Sequence, residues 1–228
     1  MLREALLDAL AVVAPTECSG CGAPDRALCP ACRRALRPQP RPVDVAGVGP
    51  VWHALDYEGP VRRVLLAFKD GGRTDAARAL AAPLSAAVAA ARGLVPGPGS
   101  GIELVAVPSS RAAFRRRGYH PVELVLAKGG LKAVRVLRNR RAVADQAGLD
   151  SGQRRANRAG SLQARGRPHG RRYIVVDDIL TTGATLREAA RAVRDAGGQV
   201  VGGAVIAHTR LAHAPGSILP DFAPEMHR

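Results

Sequence analysis

The sequence predicts an α/β fold: a parallel sheet flanked by helices, with a small four-cysteine module in front of it. Three observations carry this. "YIVVDD", "TTGATLREAARAVRDAGG" and "QVVGGAVIAHT" read as strand, loop with helix, and strand, the order that builds parallel pairs through crossovers. "IELVAVP" is a second short apolar strand that ends at a proline. All four cysteines fall in one segment, "CSGCGAPDRALCPAC".

The chain has 228 residues, enough for one medium domain and a small module. Aromatic residues make up only 3%, so the core must rest on Val, Leu, Ile and Ala. We expect an N-terminal helix and knuckle over 1–36, a linker over 37–50, a main domain over 51–210 and a disordered tail over 211–228.

At the N-terminus, Leu2, Leu6, Leu10 and Val13 recur near a helical period and predict a short amphipathic helix. Asp8 interrupts the apolar run and Glu17 precedes Cys18, which argues against a secretion signal. No stretch is long or apolar enough to span a bilayer. A cytoplasmic protein without membrane insertion is expected.

The cysteines follow the pattern Cys18-x2-Cys21-x7-Cys29-x2-Cys32. Two Cys-x-x-Cys turns can each offer two thiolates to one tetrahedral ion, and four soft ligands suit zinc. Two disulfides would need an oxidising compartment. A haem site would need His after a Cys-x-x-Cys pair, where Gly22 and Arg33 stand. An iron–sulfur cluster is the rival that the spacing leaves open. Four protein ligands leave no open position, so the expected zinc is structural.

"RRALRPQPRPVDVAGVGP" has the Pro and Gly content of a linker. "VWHALDYEG" reads as a strand or strand pair. In "GPVRRVLLAFKDGG", Pro60 suits a first helical turn, Val61, Val64, Leu65 and Phe68 share a face, and Gly71-Gly72 stops the helix. "TDAARALAAPLSAAVAAAR" predicts a helix with Thr74 as cap and a kink at Pro83. "SSRAAFRRRGYHPVELVLAKGG" begins as a loop or short helix and continues as a helix around Val122 to Lys128. "LKAVRVLRNR" can form a strand, and "RAVADQAGLDSGQRRANRAGSLQARGRPHG" is polar and basic.

Charge is concentrated rather than spread. From Pro108 to Arg172 there are 17 basic and 3 acidic residues, a net of +14, against +15 for the whole chain. Such a block attracts phosphates, whether in a small ligand or in nucleic acid.

The candidate site lies at "YIVVDDILTTGAT". The strand should end near Val176, and Asp177 and Asp178 should emerge at its carboxyl edge, where ligands of open α/β sheets bind. Thr181 to Thr185 then open a helix whose first N–H groups lack partners and whose dipole is positive there. A phosphate suits that end. Gly183 allows close backbone approach, and Thr181, Thr182 and Thr185 add hydroxyl donors. The carboxylates can accept hydrogen bonds from vicinal hydroxyls, so a ribose 5-phosphate satisfies both halves. A P-loop nucleotidase reading fails, because no Lys here follows the Gly that its phosphate loop requires.

"VVDDILTTGAT" resembles the phosphoribosyl pyrophosphate (PRPP) signature of type I phosphoribosyltransferases, a Rossmann-like family. With the four cysteines, "VPSSRAAFRRRGYHPVELVLA" and "DQAGLDSGQRRAN", the chain resembles the ComF competence-protein family from about Cys18 to about His208. The resemblance implies that Asp177 and Asp178 bind the ribose hydroxyls of PRPP, and that Thr181, Thr182, Gly183, Ala184 and Thr185 wrap its 5-phosphate. It implies that Pro108 with Ser109, Ser110 and Arg111 forms the pyrophosphate loop beside Mg²⁺. Gln146, Arg154 and Asn157 map to a flap that closes over PRPP. It further implies an Mg-dependent transfer of phosphoribose with pyrophosphate release, with single-stranded DNA and competence proteins as partners. Two positions depart from the pattern. His120 follows Arg117-Gly118-Tyr119 where Asn is frequent, and Thr181 stands where 6-oxopurine enzymes carry an Asp base. No motif identifies the acceptor or a catalytic residue.

Overall fold

A computed structural model describes residues 17–24, 26–93, 101–140, 160–166 and 168–209. The expected N-terminal helix, the flap residues Gln146, Arg154 and Asn157, and the C-terminal tail lie outside the described residues.

A short helix α1 (Pro30–Ala35) closes the cysteine segment; Cys29 caps it and Pro30 occupies its first turn. Strands β1 (Arg41–Val45) and β2 (Gly49–Asp56) form a hairpin. Helix α2 (Gly59–Lys69) buries Val61, Val64, Leu65 and Phe68, the face that the sequence periodicity marks. A 3₁₀ turn (Thr74–Ala76) leads into α3 (Ala77–Gly93), which holds Pro83 within its length. Strand β3 (Ile102–Ala106) is followed by α4 (Arg111–Arg117) and α5 (Pro121–Lys128). Strands β4 (Leu137–Asn139) and β5 (Leu162–Ala164) pair as a small antiparallel stem. Strand β6 (Arg172–Leu180), helix α6 (Ala184–Asp195) and strand β7 (Gln199–His208) follow.

The main sheet runs β1-β2-β7-β6-β3. All pairs are parallel except β1 with β2. Alternation places the central strands β6 and β7 in two cores. On one face, Ile174, Val176, Ala204 and Ile206 pack with α2, α3 and α5. On the other, Tyr173, Val175 and Val205 pack with Leu186, Ala189, Ala190 and Val193 of α6. No described helix is long and apolar enough to cross a membrane.

Three expectations need correction. The stretch 37–50 is no linker: it supplies β1, an edge strand, where Pro42 costs no inward hydrogen bond. The sheet is therefore mixed, because a tight hairpin can only return antiparallel. Thr74 does not cap a helix; it begins the 3₁₀ turn, with Arg73 in the cap position.

Candidate functional site

The acid pair does not sit beyond a strand end. β6 continues through it, and Asp177, Ile179 and Leu180 keep register with Val205, Ala207 and His208 of β7. The longer strand forms because β7 still offers a parallel partner there, which outweighs the poor strand propensity of Asp. β3 stops earlier: its last pair is Ala106 with Val176. The acids therefore face the point where Val107 and Pro108 leave the sheet, and the Val107 N–H donates to the Val176 carbonyl at 2.9 Å.

The two carboxylates differ. Asp177 is half-buried, and its Oδ1 accepts from the backbone N–H of Asp178 at 2.9 Å. Asp178 is buried and pairs with the Lys69 ammonium at 2.7 Å. Burial pushes Lys69 toward its neutral form, but the charge and hydrogen bond of Asp178, with Asp177 behind it, outweigh this and raise its pKa.

Residues 181–185 lie between β6 and the first turn of α6. Thr181 and Thr182 are exposed, while Ala184 and Thr185 are half-buried. Gly183 takes the cap position at φ +73°, and a Cβ there would lie 2.8 Å from Val45 Cγ1. Only glycine suits both constraints. The Thr182 hydroxyl accepts from Ala184 N at 3.4 Å, and its carbonyl accepts from Arg187 at 2.9 Å.

Ser109, Ser110 and Arg111 join β3 to α4. Ser110 caps that helix, accepting from Ala113 N at 3.1 Å. The Ser109 carbonyl accepts from Asn139 Nδ2 at 2.8 Å, which ties the loop to the stem. A pocket of about 40 Å³ has Pro108, Asn139, Thr185 and Glu188 in its wall, so the two candidate loops are neighbours. Beside it opens a cleft of about 690 Å³ that also touches Pro108 and Asn139. Arg111, Arg138, Arg140 and Arg165 line that cleft. Its one acid, Glu123, is held by Arg135 at 3.1 Å. This is the structural form of the basic block. Arg117 points elsewhere and pairs with Asp70 at 3.0 Å. His120 packs against Phe114, ring centroids 4.7 Å apart.

Residues 126–218 match the phosphoribosyl transferase domain. No curated protein matches the chain. The domain match takes in β6, the acid pair, the loop 181–185, α6 and β7. The cysteine segment, the first three strands and the Ser109–Arg111 loop precede it. The sheet flanked by helices and the matched segment make this a phosphoribosyltransferase-type fold behind a four-cysteine cluster.

In that cluster the four Sγ atoms lie within 4.8 Å of one another. Tetrahedral zinc at about 2.3 Å from each sulfur would separate the sulfurs by about 3.8 Å; Cys21 and Cys29 stand 3.7 Å apart. Backbone N–H groups of Cys29 and Gly20 point at Cys18 Sγ, at 3.3 and 3.4 Å. Burial opposes ionisation of Cys18, yet these donors lower its pKa to about 6. Burial raises that of Cys32. A Cβ on Gly20 would come within 2.6 Å of Cys32 Sγ, so the turn is shaped around the sulfur. The donor set fits a zinc ion.

Sequence reasoning missed three residues here. Lys69 and Asn139 carry no local signal, because their partners come from remote elements. Glu188 sits on the buried face of α6, where a charge is unexpected. It accepts from Leu162 N and from Arg191, each at 2.8 Å, and so clamps the stem to α6.

Proposed function

We propose that this protein binds PRPP with Mg²⁺ and transfers its phosphoribosyl group to an acceptor. The observation that carries this reading is one juxtaposition. Two carboxylates and a Thr-Gly helix start lie within residues 177–185 beside the Pro108 loop, in a segment matched to phosphoribosyl transferases.

In this reading Asp177 and Asp178 accept hydrogen bonds from the 2- and 3-hydroxyls of the ribose. Backbone N–H groups of Gly183 to Thr185, with the hydroxyls of Thr181, Thr182 and Thr185, hold the 5-phosphate. Ser109, Ser110 and Arg111 receive the diphosphate at the mouth of the arginine cleft. Mg²⁺ carried by PRPP supplies charge neutralisation to the leaving diphosphate. The acceptor atom bonds to the anomeric carbon as the carbon–oxygen bond to diphosphate breaks. Arginines facing the departing oxygens lower that barrier electrostatically. The four cysteines hold a structural zinc.

The test is calorimetric titration of the zinc-loaded protein with PRPP and Mg²⁺. Saturable binding is expected, stronger than that of ribose 5-phosphate, and pyrophosphate release then screens for acceptors. No binding by the folded protein would sink the reading. The resemblance to the ComF family, together with the arginine cleft and an exposed Phe114 beside it, favours a second reading. Here the same site senses PRPP without catalysis, and the basic face holds single-stranded DNA for competence partners. That affinity should fall steeply with salt; a salt-insensitive or absent mobility shift rules it out.

A further inference from the structure

Lys69 is an unusual residue in this chain. The sequence has 34 basic residues, and only Lys69, Lys128 and Lys132 are lysines. Lys128 and Lys132 are exposed, whereas Lys69 is turned inward at the last position of α2. It meets a buried carboxylate of the candidate site at 2.7 Å. An ammonium is a compact point charge, and the broad planar fork of arginine does not substitute for it in a confined place.

The end of α2 is itself fixed from several sides. Asp70 pairs with Arg117 at 3.0 Å, and the Tyr119 hydroxyl donates to the Phe68 carbonyl. The Phe68 side chain is in the core. Lys69 therefore reaches Asp178 from a braced backbone.

Electrostatics gives this contact a consequence. Two adjacent carboxylates repel one another and repel any incoming phosphate. With Lys69 in place the trio carries one negative charge instead of two, and Asp178 is held in a single direction. A sugar hydroxyl needs an acceptor that is ionised, oriented and not strongly repulsive to the phosphates on the same sugar. The Lys69–Asp178 pair meets those three needs together.

We propose that Lys69 is a positioning residue of the sugar-phosphate site. Its ammonium orients Asp178 and cancels its charge, so that the acid pair can accept a ribose carrying phosphate at both ends. This rests on the PRPP reading above, and it assigns to α2 a part in the site that lies outside the matched segment.

The experiment compares PRPP·Mg²⁺ and ribose 5-phosphate binding by wild type, Lys69→Met, Asp178→Asn and the double variant. Lys69→Met should weaken both ligands by tenfold or more, because both present the same ribose, and PRPP the more, because it brings the greater negative charge. The double variant should bind no more weakly than Asp178→Asn alone, since Lys69 acts through Asp178. If Lys69→Met loses its fold by stranding a buried carboxylate, the double variant removes both charges and supplies the comparison against Asp178→Asn. Unchanged affinity in Lys69→Met overturns the proposal, as do additive losses in the double variant. A loss confined to PRPP also overturns it, and would place Lys69 on the diphosphate. A wild-type chain that binds no PRPP overturns the site reading itself, and this proposal with it.

Discussion

Asp177 and Asp178 are neighbours in sequence and opposites in environment. One is half-buried and uses an oxygen on the next backbone N–H; the other is buried against an ammonium. Replacing both with Asn keeps the volume and removes the acceptor charges. The double variant should lose PRPP binding beyond detection while circular dichroism stays near wild type, with a lower thermal midpoint because the Lys69 ammonium loses its partner. Undiminished affinity would refute the site. Gly183 is constrained for a different reason. Its positive φ and its approach to Val45 both exclude a side chain. Gly183→Ala should cost roughly 1–2 kcal/mol from backbone conformation alone, before any shift of Val45. Chemical denaturation would read that loss, and a neutral substitution would show that the loop relaxes freely.

At the scale of elements, the Glu188–Arg191 clamp joins the β4–β5 stem to α6. Glu188 is buried, which alone would raise its pKa. Hydrogen bonds from Arg191 and from the Leu162 and Gly160 backbone more than compensate, so its pKa lies below the ordinary carboxylate range. A lowered carboxylate pKa gives stability that is complete above the unfolded value and is lost as pH falls through the folded one. Glu188→Gln should therefore destabilise the protein at neutral pH by about 1–3 kcal/mol. The gap to wild type should close in acid, as measured by urea unfolding across pH; a gap constant with pH would contradict the clamp. The legibility of elements follows the same physics. Apolar faces at helical spacing, such as Val61 to Phe68 and Leu186 to Val193, were readable because burial repeats every turn. The acid pair and Thr-Gly loop were readable because they are contiguous. β1 was not, since its proline and polar residues suit an edge that only β2 defines. The extension of β6 past Asp177 was hidden too, because β7 decides it. Lys69 met Asp178 only through the folded sheet.

For the molecule as a whole, the cysteine module is not an appendage on a tether. The Arg73 side chain donates to the Glu17 carbonyl at 3.0 Å, Arg63 donates to the Gly20 carbonyl, and Leu28 and Leu36 join the larger core. The metal and the docking surface should therefore support each other. One equivalent of zinc per chain is expected by elemental analysis. Chelation should lower the thermal midpoint, each kcal/mol lost corresponding to about 2–4 °C at this chain length. A metal-free chain with an unaltered midpoint would show that the thiols pack without an ion. The two cores on either side of the sheet share no residue with the four sulfurs. The sheet should therefore outlast the ion.

The antiparallel pairing of β4 with β5 brings Asn139 opposite Leu162, and the Arg140 N–H donates to the Ser161 carbonyl at 2.8 Å. Residues 140 and 161 are thus held side by side by the stem, as at a gate. Closing an excursion from such a gate depends only weakly on its length, at about 0.6 kcal/mol for each doubling. A change in the number of residues between these two positions should therefore leave the register of the main sheet untouched, which hydrogen exchange of β6 and β7 would read.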